Sequence, residues 1–269
     1  MAESKLIHEE ESYPENGCDR YQVLDCLICK ATKKSALEKL KERLGTGKGG
    51  FVCFSNVHTV VTALNDARLR NATNHSFMSL PDGKPIYWVG KYKGIEGIEQ
   101  VAGPDFFGYC LEKAKGLKHF LYGSTEETLQ RLVCELKKRY PDAELVGTYS
   151  PPFRALRENE KEEIIDLIKS SGADLVWVGL GAPKQEMWMN EMWHQLRPAV
   201  LLGVGAAFDF YAGTTKRAPE WMRCVGMEWL YRLIQEPRRL WKRYFVTNTL
   251  FIVHMIGSAI GLRKTDDVE

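Results

Sequence analysis

Residues 174–192 read DLVWVGLGAPKQEMWMNEM, and the reading of this stretch decides the fold. An apolar run, Asp174–Leu180, is closed by Gly181 and Pro183 and followed by a helical pattern over Lys184–Gln195. A short run of β-branched and aromatic residues ending at glycine is the signature of a strand buried on both faces. Proline just inside a helix start is tolerated, because the N–H it lacks would have no helical partner there. The unit is therefore strand, turn, helix.

The same alternation extends in both directions. Strand-like runs are Gln22–Cys29, Gly50–Ser55, Pro85–Val89, Lys118–Tyr122, Leu145–Tyr149 and Ala199–Gly205. Helical patterns cover Lys34–Leu44, Val57–Asn71, Asp105–Lys115, Thr125–Arg139 and Asn159–Ser170, and Ser124 to Glu127 supplies hydroxyls followed by acids at one start. Strands alternating with helices over short connections predict an α/β fold, a mostly parallel Rossmann-like sheet with helices on both faces. At 269 residues and 44% hydrophobic, the chain can fill one such domain and a small appendage.

Composition sets the boundaries. Residues 1–19 are polar and acidic without the apolar stretch of a secretory signal, which predicts a flexible tail. The α/β domain is placed over 20–213 and a helical, basic and aromatic appendage over 214–269. The seven cysteines are scattered, and only Cys26 and Cys29 lie close together, inside an apolar run. With no second ligand pair for zinc, they read as core or strand residues, and the odd, scattered set suits a reducing cytosol.

In a parallel sheet, ligands collect at the carboxyl ends of the strands. The loops there carry Asn56 and His58, then Gly123 and Ser124, then Gly181, Lys184, Gln185 and Glu186, and finally Asp209. Gly123-Ser124 is either a phosphate or ribose contact at a helix start or a plain cap. Lys184, Gln185 and Glu186 in one strand-to-helix junction favour ligand binding. Leu80-Pro81-Asp82-Gly83 is either an Asp-Gly turn or a turn presenting a general base. The glycine-rich stretch 45–50 is no phosphate loop, since no hydroxyl residue follows its lysine and it precedes a strand.

From Lys216 to Arg243 eight basic residues stand against three acidic ones, with Trp221, Trp229, Tyr231, Trp241 and Tyr244 close among them. Nucleic acid is a poor match, because the net charge of the whole chain is only +2. The stretch 245–262 would span roughly 27 Å as a helix, somewhat short of a bilayer core. Interfacial binding to an anionic membrane surface fits best, and the same arginines could clamp a diphosphate.

Taken together, ordered blocks along the chain resemble the WecG/TagA/CpsF family, glycosyltransferase family 26, from about Tyr21 to Tyr244. The blocks are Ser55-Asn56-Val57-His58, Leu80 to Gly83, Ala102-Gly103-Pro104-Asp105, Gly123-Ser124, Gly179 to Glu186 and Gly203 to Asp209. In the appendage they are Gly213, Arg217-Ala218-Pro219, Gly226 to Arg232 and Glu236-Pro237-Arg238-Arg239. The resemblance implies an inverting transfer of N-acetylmannosamine or a related hexose from a UDP-sugar to undecaprenyl-diphosphate-linked GlcNAc, without cofactor or metal. It implies Asp82 as catalytic base, with Gly83 beside it, and places Arg217, Arg232 and Arg238 or Arg239 near the diphosphates. It further implies a peripheral enzyme at the cytoplasmic face of a bacterial plasma membrane, with a homo-oligomer among its partners. Phe54 and His58 stand where family members often carry Thr and an acidic residue, and Gln100 and Val101 where many carry Arg. These positions surround the presumed sugar pocket, so the donor is not carried over with the motifs. A non-catalytic nucleotide-sugar-binding or regulatory protein is the second reading.

Overall fold

The computed structural model describes residue 15 and residues 17–259. Most of the tail expected over 1–19, and the appendage beyond 259, lie outside the described residues. The end of that tail is tied down: the Gly17 amide donates to the Phe77 carbonyl at 2.8 Å, and Glu15 pairs with Lys48 at 3.0 Å.

Strands β1 (Arg20–Val23) and β2 (Cys26–Cys29) form an antiparallel hairpin. The sequence reading made one strand of this run, and the correction lies at the turn, where Leu24 adopts a φ of 54°. Cys29 pairs with Arg20 across the hairpin, and Cys18, just before β1, lies close enough to bond it as a disulfide, which departs from the expectation of a scattered set suited to a reducing cytosol. Sequence spacing had singled out Cys26 and Cys29, which are indeed buried strand residues, but chain reversal and not spacing selects the bonded pair.

Six parallel strands make the main sheet: β3 (Gly50–Ser55), β4 (Met78–Pro81), β5 (Lys118–Gly123), β6 (Glu144–Tyr149), β7 (Leu175–Gly179) and β8 (Val200–Gly203). Their spatial order is β4-β3-β8-β7-β5-β6. Alternate residues feed two different cores, as a period of two requires. Val52, Phe54, Leu121, Trp177 and Leu202 pack with Phe106, Phe107 and Phe208 on one face. Phe51, Cys53, Phe120, Val176 and Leu201 pack with Ile164, Trp188 and Trp193 on the other. Helices therefore cover both faces, as expected for this class.

Two elements differ from the sequence reading. Residues 85–89 are helical, not extended: the helix is Lys84–Tyr92, with Pro85 in its first turn, and the strand lies just upstream at Met78–Pro81. An apolar run of that length satisfies either period, and the buried positions Ile86, Val89 and Gly90 follow the helical one. The helix expected over 57–71 is two, Val57–Thr62 and Ala67–Asn74, because the Asp66 side chain caps the Arg68 and Leu69 amides.

The appendage comprises helices Glu220–Cys224, Glu228–Gln235 and Pro237–Ala259. The last packs on Val57–Thr62 and places Phe251 in a third apolar cluster with Tyr21, Ile28, Val60, Leu69, Ile86 and Val89. Among the described residues no helix is long and apolar enough to cross a membrane.

Candidate active site

The chain after β5 continues outward to β6, whereas after β7 it returns to β8, so it leaves the adjacent carboxyl ends of β5 and β7 in opposite directions. Such a point opens a crevice between the loops. Gly123 and Gly179 face each other there, and a Cβ on Gly123, whose φ is 118°, would lie 2.7 Å from the Gly179 backbone. Only glycine permits this approach. Ser124 also has a positive φ, 59°, and its amide donates to the Gly179 carbonyl at 3.1 Å. The cap of the following helix is Thr125, whose hydroxyl accepts from the Thr128 amide, so Ser124 is not the cap.

Gln185 stitches the neighbouring loops. Its amide nitrogen donates to the Gly203 carbonyl at 2.7 Å and to Glu186 at 3.0 Å, while its oxygen accepts from the Gly181 amide at 3.1 Å. Both Gln185 and Glu186 are buried, and burial pushes the Glu186 carboxyl up to about 7. The structure thus gives these two residues a structural use that the sequence reading had discounted, and only Lys184 of the three is exposed. Gln185→Ala would strand the Gly181 amide and the Gly203 carbonyl; we expect a loss of about 2–4 kcal/mol in urea-induced unfolding. A loss below about 1 kcal/mol would show that the stitch carries little.

Asp82 follows β4 and is partly buried. One carboxylate oxygen accepts from the Asn56 side-chain amide at 3.1 Å, and the other from the Gly103 backbone amide at 3.1 Å. Asn56 is itself fixed, its oxygen capping the helix at Val57–Thr62 through the Thr59 amide at 3.2 Å. Gly103 opens the helix Gly103–Lys113, so a helix amino terminus faces the carboxylate. Burial raises the Asp82 carboxyl to about 6, against the Asn56 and Gly103 hydrogen bonds, with Glu228 adding to the rise and Arg217 opposing it. Gly83, the cap of the next helix, lies against Asn56. His58 hydrogen-bonds Thr62 at 3.3 Å, and burial, followed by the charge of Arg243, pulls it down to about 4. It is neutral at physiological pH.

The appendage reaches this region through Arg217. Its guanidinium binds Asp105 bidentately at 2.5 and 3.0 Å and Glu228 at 3.1 Å, and Arg223 stands 3.4 Å from Asp105. Burial alone would disfavour the Asp105 carboxylate, but the Arg217 hydrogen bonds and charge hold it below its ordinary value. Arg232 and Arg217 lie over the Phe210 ring at 5.6 and 5.9 Å. Asp209 beside that ring is raised by burial against the charges of Arg232 and Arg239, and Arg239 pairs with Glu236 at 2.6 Å. Arg217 and Arg232 therefore gather around Asp105, Asp209 and Phe210, and the charge of Arg239 reaches Asp209, whereas the side chains of both Arg238 and Arg239 are exposed.

Sequence reasoning missed Asp105, Glu228, Phe210 and the Gly103 amide. The first two lie inside blocks already quoted, and their pairing with Arg217 was the signal: an arginine cluster near a half-buried surface needs counter-charges.

Comparison with known proteins gives a consistent result. The profile of the Glycosyl transferase WecG/TagA/CpsF family matches residues 21–265. The chain is 32% identical over 202 residues, 74% of its length and 76% of the relative's, to an N-acetylglucosaminyldiphosphoundecaprenol N-acetyl-beta-D-mannosaminyltransferase of Bacillus spizizenii. A protein of the same name from Bacillus subtilis is 30% identical over 197 residues, 72% of this chain and 75% of that one.

Proposed function

The chain belongs to the WecG/TagA/CpsF family of glycosyltransferases, acting in polysaccharide biosynthesis, and from that premise we propose the reaction it performs. It moves N-acetylmannosamine or a related hexose from a UDP-sugar to the GlcNAc of an undecaprenyl-diphosphate-linked acceptor, with inversion. The observation that carries this reading is Asp82, held by Asn56 and Gly103 with a free lone pair on each oxygen and a guanidinium close by.

In the proposed step the Asp82 carboxylate takes the proton of an acceptor hydroxyl as that oxygen attacks the anomeric carbon. The bond to the diphosphate breaks on the opposite face, and UDP leaves. The nucleotide is assigned to the crevice at Gly123, Ser124 and Gly181, beside the start of the helix Glu126–Arg139, whose dipole favours an anion. Developing charge on the leaving diphosphate calls for preorganised cations. Arg232, whose buried Nε has no hydrogen-bond partner among the described residues, and Arg239 are the appendage groups assigned to it. Arg217, engaged by two carboxylates, positions the appendage. Lys184 and the exposed Arg238 are assigned to the phosphates from solvent. With such an acceptor the enzyme works at the cytoplasmic face of the membrane.

The test is a panel of UDP-hexosamines with a short-chain diphosphate–GlcNAc acceptor, assayed between about pH 5 and 8. A base with a value of about 6 is lost to protonation below it, so the rate should fall about ten-fold per pH unit on the acid side. The stability sign is opposite: a raised carboxyl favours folding while protonated, and that contribution disappears as pH rises through about 6. Turnover with no UDP-hexosamine, or a flat acid limb, would sink the assignment.

A further inference from the structure

We propose that helix Lys84–Tyr92, in the α/β domain itself, forms part of the lipid-facing surface and seats the acceptor's membrane beside Asp82. This rests on the reading of the acceptor as bilayer-anchored.

The helix is apolar on two sides. Ile86 and Val89 enter the cluster shared with Tyr21 and Phe251, and Gly90 packs so closely that a Cβ there would stand 2.5 Å from Ile98. The opposite side carries Lys84, Trp88, Lys91 and Tyr92, spaced by four, three and one, which places them in one stripe. Trp88 is 50% exposed and Tyr92 87%. Neither is placed at the donor crevice or against Asp82, and neither is needed by the core.

The stripe runs into the appendage. Gly226, at a φ of 76°, lies in the turn between helices Glu220–Cys224 and Glu228–Gln235, and a Cβ on it would stand 3.0 Å from both the Trp88 ring and Lys84. Trp221 and Val225, before that turn, are 64% and 53% exposed. Trp88 and Tyr92 on this helix, and Trp221 and Val225 just before the Gly226 turn that packs on Trp88, are exposed, with Lys84 and Lys91 in the helix stripe. Exposed aromatics with lysines among them match an anionic lipid interface, where rings sit among headgroups and ammonium groups meet phosphates.

Position supplies the remaining argument. The helix begins two residues after Asp82, and Trp88 lies about 6 Å further along its axis. One sugar and one diphosphate separate the acceptor hydroxyl from the polyprenyl chain. The base must therefore stand close to the headgroup plane, and this helix is the element joining the two.

The test uses the full chain with vesicles of phosphatidylglycerol or of phosphatidylcholine alone, and compares Trp88→Ala/Tyr92→Ala with the unaltered protein. Partition onto anionic vesicles should fall about ten-fold, and turnover of a long-chain acceptor in those vesicles should fall with it. Turnover of the short-chain acceptor should stay within about two-fold. Tyr92→Ala alone, at a site with little to unfold, should weaken partition about three-fold. Equal flotation of all three proteins overturns the inference while leaving the reaction standing if the short-chain acceptor is used. A change of sedimenting mass in lipid-free buffer with unchanged flotation also overturns it, since the patch would then be covered by a second copy. Absence of turnover with either acceptor defeats the proposed reaction itself.

Discussion

Asp82→Asn is expected to lower transfer by about a thousand-fold while the protein stays folded. The amide has no basic lone pair for the acceptor proton, so the step loses its base. The fold cost is small and can be reasoned atom by atom. The oxygen of the substituted side chain still accepts from the Gly103 amide, but its NH₂ then meets the NH₂ of Asn56, whose own oxygen is fixed by Thr59. One hydrogen bond is lost, about 1 kcal/mol, against relief from ionising a carboxyl that burial disfavours. Circular dichroism and urea unfolding should therefore be near those of the parent. Transfer within about ten-fold of the parent would remove Asp82 as base.

Arg217→Ala carries the second large effect, expected at about a hundred-fold in kcat/KM. Its guanidinium joins Asp105, on the helix that offers Gly103 to Asp82, with Glu228, on the same appendage helix as Arg232. Removing it leaves Glu228 without this partner and Asp105 with only the longer Arg223 contact, and frees the appendage to shift, and small displacements of positioned groups cost rate steeply. The same arginine opposes the rise of the Asp82 carboxyl, so the acid limb of the pH profile should move to higher pH. Arg217→Lys keeps a charge but not the bidentate geometry, and should recover the pH profile more fully than the rate. A variant with an unshifted acid limb and near-parental kcat/KM would show that this ion cluster holds the appendage for stability alone.

Strands β3, β7 and β8 were legible in the sequence because they are buried on both faces and their apolar runs are unbroken, whereas β4, equally buried but closed by Pro81, was missed. Where burial is one-sided the reading slipped: residues 85–89 fit either period, and only tertiary packing chose the helix. Asp82 and Asn56 were legible as separate motifs, yet their contact is set by the parallel pairing of β3 with β4, which local sequence does not state. Gln185 and Glu186 illustrate the opposite limit. Polar residues at a strand-to-helix junction suggest a ligand, but the carbonyl that Gln185 satisfies belongs to a strand eighteen residues away.

The burial of Phe251 bears on how the proposed membrane attachment can be tested at all. The carboxyl-terminal helix is simultaneously a surface and a wall of the interior, since Phe251 closes the cluster that also holds the β1–β2 hairpin and Ile86. A chain shortened before Pro237 would expose that cluster to water and invite aggregation on any hydrophobic surface. Sticking to vesicles by such a protein would report damage, not affinity. Attachment is therefore better dissected by point changes at outward positions such as Trp241 and Phe245, which remove contact area while the wall stays in place.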